Sequence, residues 1–259
     1  MRGNVCGAVR LMLGFSMMGA ASPAAAQTVV ESSAETRFQL DVHVPDAALA
    51  ALLPSGFKLN VSQQGAAKDA NLRVVFIDRL TIHGPDQKPM GKGSNRLVYL
   101  VAPVTDPTGT SAQLVIGGLT EDAADAPGPF GVYLPAVTHT MRRSTSSGTG
   151  PILETQDWAF AAATGERLEM RITYERGAGN RGNPGEVRFY SAKNPAFYQI
   201  SRQEQALDIL RNATTNPPDR VKEFSFKGSG GSYATLFDGS ERLLSWDNII
   251  WINRSVLVP

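Results

Sequence analysis

Cysteine is all but missing. Cys6 is the only one in 259 residues, and it lies ahead of the first apolar segment. A disulfide framework is excluded, and so is a cysteine nucleophile in the chain that follows that segment. Histidine is nearly as scarce. His43, His83 and His139 are scattered, without the His-x-x-x-His or His-Glu-x-x-His spacing that puts two ligands on one side of a metal, so no metal site is expected. No Gly-x-Ser-x-Gly elbow offers a serine nucleophile. The glycine-rich stretch 177–185 is not followed by Gly-Lys-Ser/Thr and has the wrong spacing for a phosphate cradle, and no cofactor is expected. An excess of one charge is missing as well. Lys and Arg number 25 against 24 Asp and Glu, and no basic block stands out, which excludes a nucleic-acid footprint. Long apolar runs are absent beyond the first residues, so no membrane span is expected in residues 27–259.

What the N-terminus does hold is an export signal. Arg2 and Arg10 precede Leu11–Ala21, an apolar run too short to cross a bilayer. Ser22-Pro23 breaks it, and Ala24-Ala25-Ala26 supplies the small residues a signal peptidase reads. Cleavage is expected before Gln27, which removes Cys6. The alanine-rich signal is of bacterial type and points to the periplasm or the medium. Residues 27–259 then form one domain without a disulfide, held by burial alone, and about 230 residues are enough for that.

Alternation dominates the rest. In Arg37–Val44, Phe38, Leu40, Val42 and Val44 take one side and Arg37, Gln39, Asp41 and His43 the other, a strand pattern. Leu168–Glu175 repeats it, and period 2 reads as one face on a core and the other on water. Residues 71–80, 95–102, 111–119, 130–140, 186–191, 221–227 and 251–258 are further strands. Thr28–Ala34 reads as a polar leader and Met141–Gly150 as a loop. Two helices are expected. One is Asp46–Leu53, with Asp46 as N-cap or first-turn acid. The other is Arg202–Asn212, with Ser201 as N-cap and Glu204 completing a capping box. Tyr233–Phe237 and Glu241–Trp246 read as a hairpin about Asp238-Gly239. Strands without a βαβ rhythm predict a mainly β (α+β) fold, an antiparallel barrel or cone-like sheet with about two short helices.

The stretch from Ile152 to Arg176 carries the candidate chemistry. Glu154 and Asp157 stand three residues apart beside Trp158. Walled from water by Trp158 and Phe160, they would form an acid/base pair. The plainer alternative is two exposed acids, one paired with Arg142 or Arg143. Trp158 and Phe160 share a strand face and suit core packing or ligand contact. His139 is a third proton-transfer candidate, Lys193 a candidate amine nucleophile, and Arg96, Arg142 and Arg143 are candidates for meeting a ligand carboxylate.

Several short segments, in order along the chain, resemble the acetoacetate decarboxylase superfamily. Leu49–Phe57 resembles its opening helix and Leu-Pro turn, Ala70–Asp78 the next strand, Gly131-Val132-Tyr133 a Gly-x-Tyr, and Asp157-Trp158-Ala159-Phe160 an acid-x-x-aromatic segment. The resemblance implies a cone-like β-barrel around a cavity. In the family a Pro-Lys follows the aromatic and the lysine forms a Schiff base with a β-keto acid; Ala161-Ala162 stand there in this chain, and Pro135 stands where a Glu often follows the Tyr. The implied function is an exported, cofactor-free barrel that binds a small keto acid, carboxylic acid or apolar molecule without Schiff-base chemistry, through Tyr133, Trp158, Phe160, Arg96 and Arg142. Two alternatives remain open: a lyase, hydratase or isomerase using Glu154, Asp157 or His139, and an envelope interaction protein, either of them as single chains or as a homo-oligomer.

Overall fold

A computed structural model describes residues 27–123, 130–211 and 220–259. The signal segment lies outside those residues, as do Asn212 and most of the acidic loop 120–128. The strands are β1 (Thr28–His43), β2 (Lys58–Leu59), β3 (Leu72–His83), β4 (Asn95–Thr105), β5 (Ser111–Thr120), β6 (Tyr133–Thr145), β7 (Leu153–Ala162), β8 (Arg167–Glu175), β9 (Asn180–Arg181), β10 (Gly185–Ser191), β11 (Tyr198–Arg211), β12 (Val221–Ser229) and β13 (Arg242–Val258). The two helices are short, α1 (Asp46–Ala50) and α2 (Tyr233–Leu236). The mainly β class with two short helices is as expected. No helix among the described residues is long and apolar enough to cross a membrane.

The strands do not form an open sheet with one wet face. β5, β10, β11, β13, β1, β3 and β4 are hydrogen-bonded in that order, and β4 pairs β5 over Leu97–Thr105 to close the circuit. All neighbours in it are antiparallel except β5 and β10, which meet in parallel at Phe189–Ser191. A branch leaves at β5. The first residues of β6 run parallel to its end, with Gly118 opposite Tyr133, and β6, β7, β8 and β12 continue as an antiparallel sheet. That sheet lies over the outside of the ring. Trp158 and Phe160 of β7 meet Phe76 of β3 at 5.8 and 6.2 Å between ring centres, and Tyr174 of β8 meets Phe38 of β1 at 6.1 Å.

Both faces of β1 and β3 are therefore buried. Phe38, Leu40, Val42, Val74 and Phe76 fill the apolar layer between ring and covering sheet. The alternate residues turn into the ring, where Val75, Ile77, Tyr99, Val101 and Val115 form a second, smaller cluster. This corrects the expectation that the polar face of Arg37–Val44 meets water. Glu35 is 1 % exposed, Asp41 1 % and Arg37 7 %.

Other boundaries differ from the sequence reading. Residues 202–211 are strand, not helix. Gln, Glu, Ala and Leu are good helix formers, but β11 hydrogen-bonds β13 from Ile200 to Arg211, with β10 on its other edge as far as Gln203 and β9 at Ala206 and Leu207, and that pairing outweighs a propensity of a few tenths of a kcal/mol per residue. Thr28–Ala34 is strand, paired with β13 for its whole length and with β3 from Ser32. Met141–Thr145 extends β6 against β7. The expected hairpin arm Tyr233–Phe237 is instead α2, and Arg242–Val258 runs as one strand rather than two. Helix α1 is shorter than expected and has Asp46 in its first turn, with Pro45 at the N-cap.

Candidate functional site

The inward face of β1 reads Glu31, Ser33, Glu35, Arg37. Strand β3 brings Arg79 opposite Glu35, and β13 brings Arg254 opposite Ser33. Five charged side chains thus converge inside the ring. Glu35 accepts from Arg37 Nε at 2.7 Å and Nη2 at 2.6 Å, from Arg254 Nε at 2.9 Å and from Ser33 Oγ at 2.6 Å. Arg254 Nη2 reaches Glu31 at 2.6 Å, and Arg79 pairs Glu31 as well. None of the five is more than a tenth exposed.

Among the described residues, three guanidiniums here face two carboxylates, an excess of one positive charge. Burial would raise the Glu35 carboxyl, but Arg254, Arg37 and Arg79 outweigh it and hold it far below the usual range. Burial would lower Arg254, but Glu35 and Glu31 push it above the ordinary arginine value. Arg79 moves down, first through burial and then through repulsion from Arg254. The cluster is thus ionised, and any further anion placed beside it meets net positive charge in a site of low dielectric.

Glu35, Arg37, Arg79 and Arg254 form one wall of a narrow cavity of about 30 Å³, enough for one or two waters or the carboxylate end of a small molecule. The other wall is aromatic and aliphatic: Tyr99, Tyr133, Phe130, Phe189 and Val115. Ser201, 3 % exposed, also lines it, and its Oγ has no hydrogen-bond partner among the described residues. An orphaned buried hydroxyl costs about 1–3 kcal/mol unless water or a ligand meets it. Gly118 makes room for Tyr133. A Cβ there would stand 2.5 Å from the Tyr133 ring and 2.9 Å from the Val98 carbonyl. The bare backbone of β5 lets the phenol lie against it and reach the cavity, where burial first, then Tyr99, pushes its pKa far above the ordinary value.

Of the residues singled out in the sequence, only Tyr133 lines this cavity. Trp158 and Phe160 are packed in the outer apolar layer. Glu154 and Asp157 are not a pair: three residues apart on β7, they point to opposite faces. Asp157 lies on the outer surface, 3.7 Å from Arg171. Glu154 is fully buried and accepts from Tyr174 Oη at 2.5 Å, Gln156 Nε2 at 2.7 Å and Arg142 Nε at 2.6 Å. Burial opposes its charge, but Tyr174 and Arg142 prevail and hold its carboxyl below the usual range. Arg142 is thereby committed to Glu154. Arg96 is committed to Asp78 and Glu121 at 3.5 and 3.4 Å. His139 and Arg143 are exposed on β6. Ala162 packs against the outer layer, so the Ala161-Ala162 pair does not face the chamber. Lys193 is exposed, as are the other six lysines of the chain.

Glu154 therefore ties the covering sheet together. Glu154→Gln is expected to cost about 1–3 kcal/mol in urea unfolding, from a weakened charge-assisted network. Unchanged stability would contradict that role.

Sequence reasoning missed Glu31, Glu35, Arg37, Arg79, Arg254 and Ser201. A signal was available: Arg79 in VVFIDRLTI and Arg254 in IIWINRSVLV are lone cations inside otherwise apolar strands, a placement that calls for buried partners.

No family model matches the chain, and no curated protein does. Two solved structures share its fold. One is the enduracididine biosynthesis enzyme MppR, in complex with the condensation product of pyruvate and imidazole 4-carboxaldehyde, 12 % identical over 88 % of this chain and 87 % of that one, with a TM-score of 0.55. The other is an acetoacetate decarboxylase-like enzyme from Sphingomonas wittichii RW1, 13 % identical over 89 % of this chain and 91 % of that one, also at 0.55. The chain thus has an acetoacetate decarboxylase-like fold.

Proposed function

We propose that this acetoacetate decarboxylase-like fold binds a small organic acid inside the ring, its carboxylate toward Arg37, Arg79 and Arg254 and its carbon chain against Tyr99, Tyr133 and Phe130, without forming a Schiff base. The observation that carries the reading is the excess of guanidinium over carboxylate among the described residues, buried beside an apolar wall. A carboxylate supplies the missing negative charge, and planar guanidinium suits it bidentately. The orphaned Ser201 hydroxyl is placed to donate to such a ligand. A keto acid is the favoured class, since the structurally similar MppR is described with a pyruvate-derived product. Schiff-base chemistry needs a lysine amine of depressed pKa; the exposure of all seven lysines supports binding without it. The protein would act after export, as the N-terminal signal predicts.

The test is native mass spectrometry of the protein made with its own leader and recovered from the periplasm, followed by titration with pyruvate and acetoacetate. The expected mass is that of residues 27–259, with a retained or added small acid. A ligand at a hundred times its Kd raises the unfolding free energy by about 2.7 kcal/mol, and Arg37→Met should abolish that gain while far-UV circular dichroism stays native. Borohydride with acetoacetate should leave the protein unlabelled. Covalent labelling, absence of any acid-dependent stabilisation, or an uncleaved leader would each overturn the corresponding part of the reading.

A further inference from the structure

Two residues beyond Arg37 the inward face of β1 changes character. Gln39 and Asp41 follow, and β13 places Asp247 opposite Gln39. Asp41 is 1 % exposed and Asp247 7 %. Arg73 of β3 binds Asp41 at 2.7 Å. Gln39 Nε2 donates to Asp41 at 3.2 Å and lies 3.5 Å from Asp247 Oδ2, and Ser245 Oγ donates to Asp247 Oδ1 at 3.3 Å. Beside them is a second space, about 230 Å³, walled by Gln39, Arg73, Gln113, Gln203, Gln205 and Asp247. Arg37, Tyr99 and Phe189 line both it and the charged chamber. The two spaces are thus neighbouring levels along β1, with those three side chains common to both.

This level has acceptors to spare. Among the described residues, Gln113 Oε1 and Gln203 Oε1 are buried without a hydrogen-bond partner, and Asp247 has the two long contacts above. Such oxygens call for a donor, because a buried acceptor left unmet keeps its full desolvation cost. An ammonium group would be a poor one, because a buried cation is costly to desolvate. A hydroxyl donates without that cost.

We infer that the second level is a hydroxyl subsite built on Asp247, Gln113 and Gln203, so that the ligand is an organic acid carrying a hydroxyl group at its far end. The inference rests on the carboxylate reading above for the ligand's other end. The strand sets the length. Arg37 and Gln39 are two residues apart on one face, about 7 Å of extended chain. A six-bond chain between carboxyl carbon and hydroxyl oxygen spans that distance, as in 6-hydroxyhexanoate.

Asp247 also provides a reporter. Burial, followed by the charge of Asp41, raises its pKa to about 7, against smaller opposing effects of Ser245 and Arg73. A hydroxyl that donates to its carboxylate favours the ionised form and lowers the titration midpoint. The experiment uses the mature chain. Affinities for 6-hydroxyhexanoate and hexanoate are measured by calorimetry, and the Asp247 carboxyl is followed by 13C NMR from pH 5 to 9 with each acid and with 1,4-butanediol. The hydroxy acid is expected to bind about tenfold more tightly than hexanoate, the effect of one further hydrogen bond to a charged group, and to lower the Asp247 midpoint where hexanoate does not. In Asp247→Leu the two acids should bind equally; should that variant not fold, the NMR titration of the native chain decides alone. Equal affinities with an Asp247 midpoint indifferent to the hydroxyl overturn the hydroxyl subsite and leave the carboxylate reading standing. A midpoint moved by butanediol while neither acid binds upholds the subsite and removes the carboxylate reading. No response to any probe removes both.

Discussion

Glu35→Gln is expected to lower the unfolding free energy at pH 7 by about 3–5 kcal/mol, the usual cost of removing one partner from a buried ion cluster. The amide keeps the shape of the side chain, so little packing changes. What changes is charge. Arg37 and Arg254 lose the carboxylate that each binds within 3 Å, and Arg79 and Arg254, which already repel one another, keep only Glu31 between them. Three guanidiniums would then face one carboxylate in a site with almost no access to water. The sign with pH follows from the depressed carboxyl. A group whose folded pKa lies below its unfolded value of 4.5 contributes stability that is present above that value and is lost as pH falls toward the folded pKa. The gap between native and variant should therefore hold from pH 8 down to about 4.5 and narrow only in stronger acid. Urea midpoints across that range check it. A gap below 1 kcal/mol at pH 7 would mean that the cluster is solvated. The variant also carries one more uncompensated positive charge, so pyruvate should offset part of its loss, and more effectively at low salt.

Asp247→Asn is expected to act in the opposite direction. The folded carboxyl titrates near 7, against 3.8 for an ordinary aspartate. A folded pKa raised above the unfolded one means that the native state holds a proton the unfolded chain has already released. Its stability is therefore intact below about pH 4 and is lost as pH rises toward 7. A shift of about three units corresponds to roughly 4 kcal/mol as an upper value. Asparagine is neutral throughout and escapes this loss. The variant should match the native chain near pH 4, pull ahead between pH 4 and 7, and be more stable by as much as roughly 4 kcal/mol at pH 8. A variant less stable than the native chain at pH 8 would show that Asp247 is ionised without penalty there. A carboxylate that weakens its own protein at neutral pH is what a binding subsite would retain and a purely structural position would not.

Taken together, the two substitutions describe an interior whose two ends are under opposite electrostatic stress. Near Arg254 positive charge is in excess, and near Asp247 and Asp41 negative charge is crowded. A ligand with an anionic end and a hydrogen-bond-donating end relieves both.

Much of the scaffold could be read along the chain. Arg37–Val44, Leu72–Leu80, Asn95–Ala102 and Leu168–Glu175 alternate, and each is a strand. The short likenesses at Leu49–Phe57 and Ala70–Asp78 led to the fold that the structure has. The candidate site was less legible. Trp158, Phe160, Glu154 and Asp157 drew attention because aromatics and acids crowd one stretch, yet three of them serve the layer outside the ring and Asp157 serves the surface. Residues 202–211 misled for a local reason: QEQALDIL is good helix sequence, and its ladder with β13, joined by β9 at Ala206 and Leu207, holds it extended.

The sequence alone determined most of the extended segments, that a chain with one cysteine forms no internal disulfide, and that Ala161-Ala162 rather than a lysine come next after Phe160, because periodicity and composition are local properties. Which side of each strand faces inward was decided only by tertiary structure. Alternation divides a strand into two faces without saying what lies against either of them. The pairing of β4 with β5 closes the ring, and the β6–β12 sheet covers its outside. Phe38 and Phe76 are thereby turned outward into an apolar layer, and Glu35, Arg37, Asp41 and Arg79 inward. A charge on that inner face is buried only because strands distant in sequence complete the wall around it.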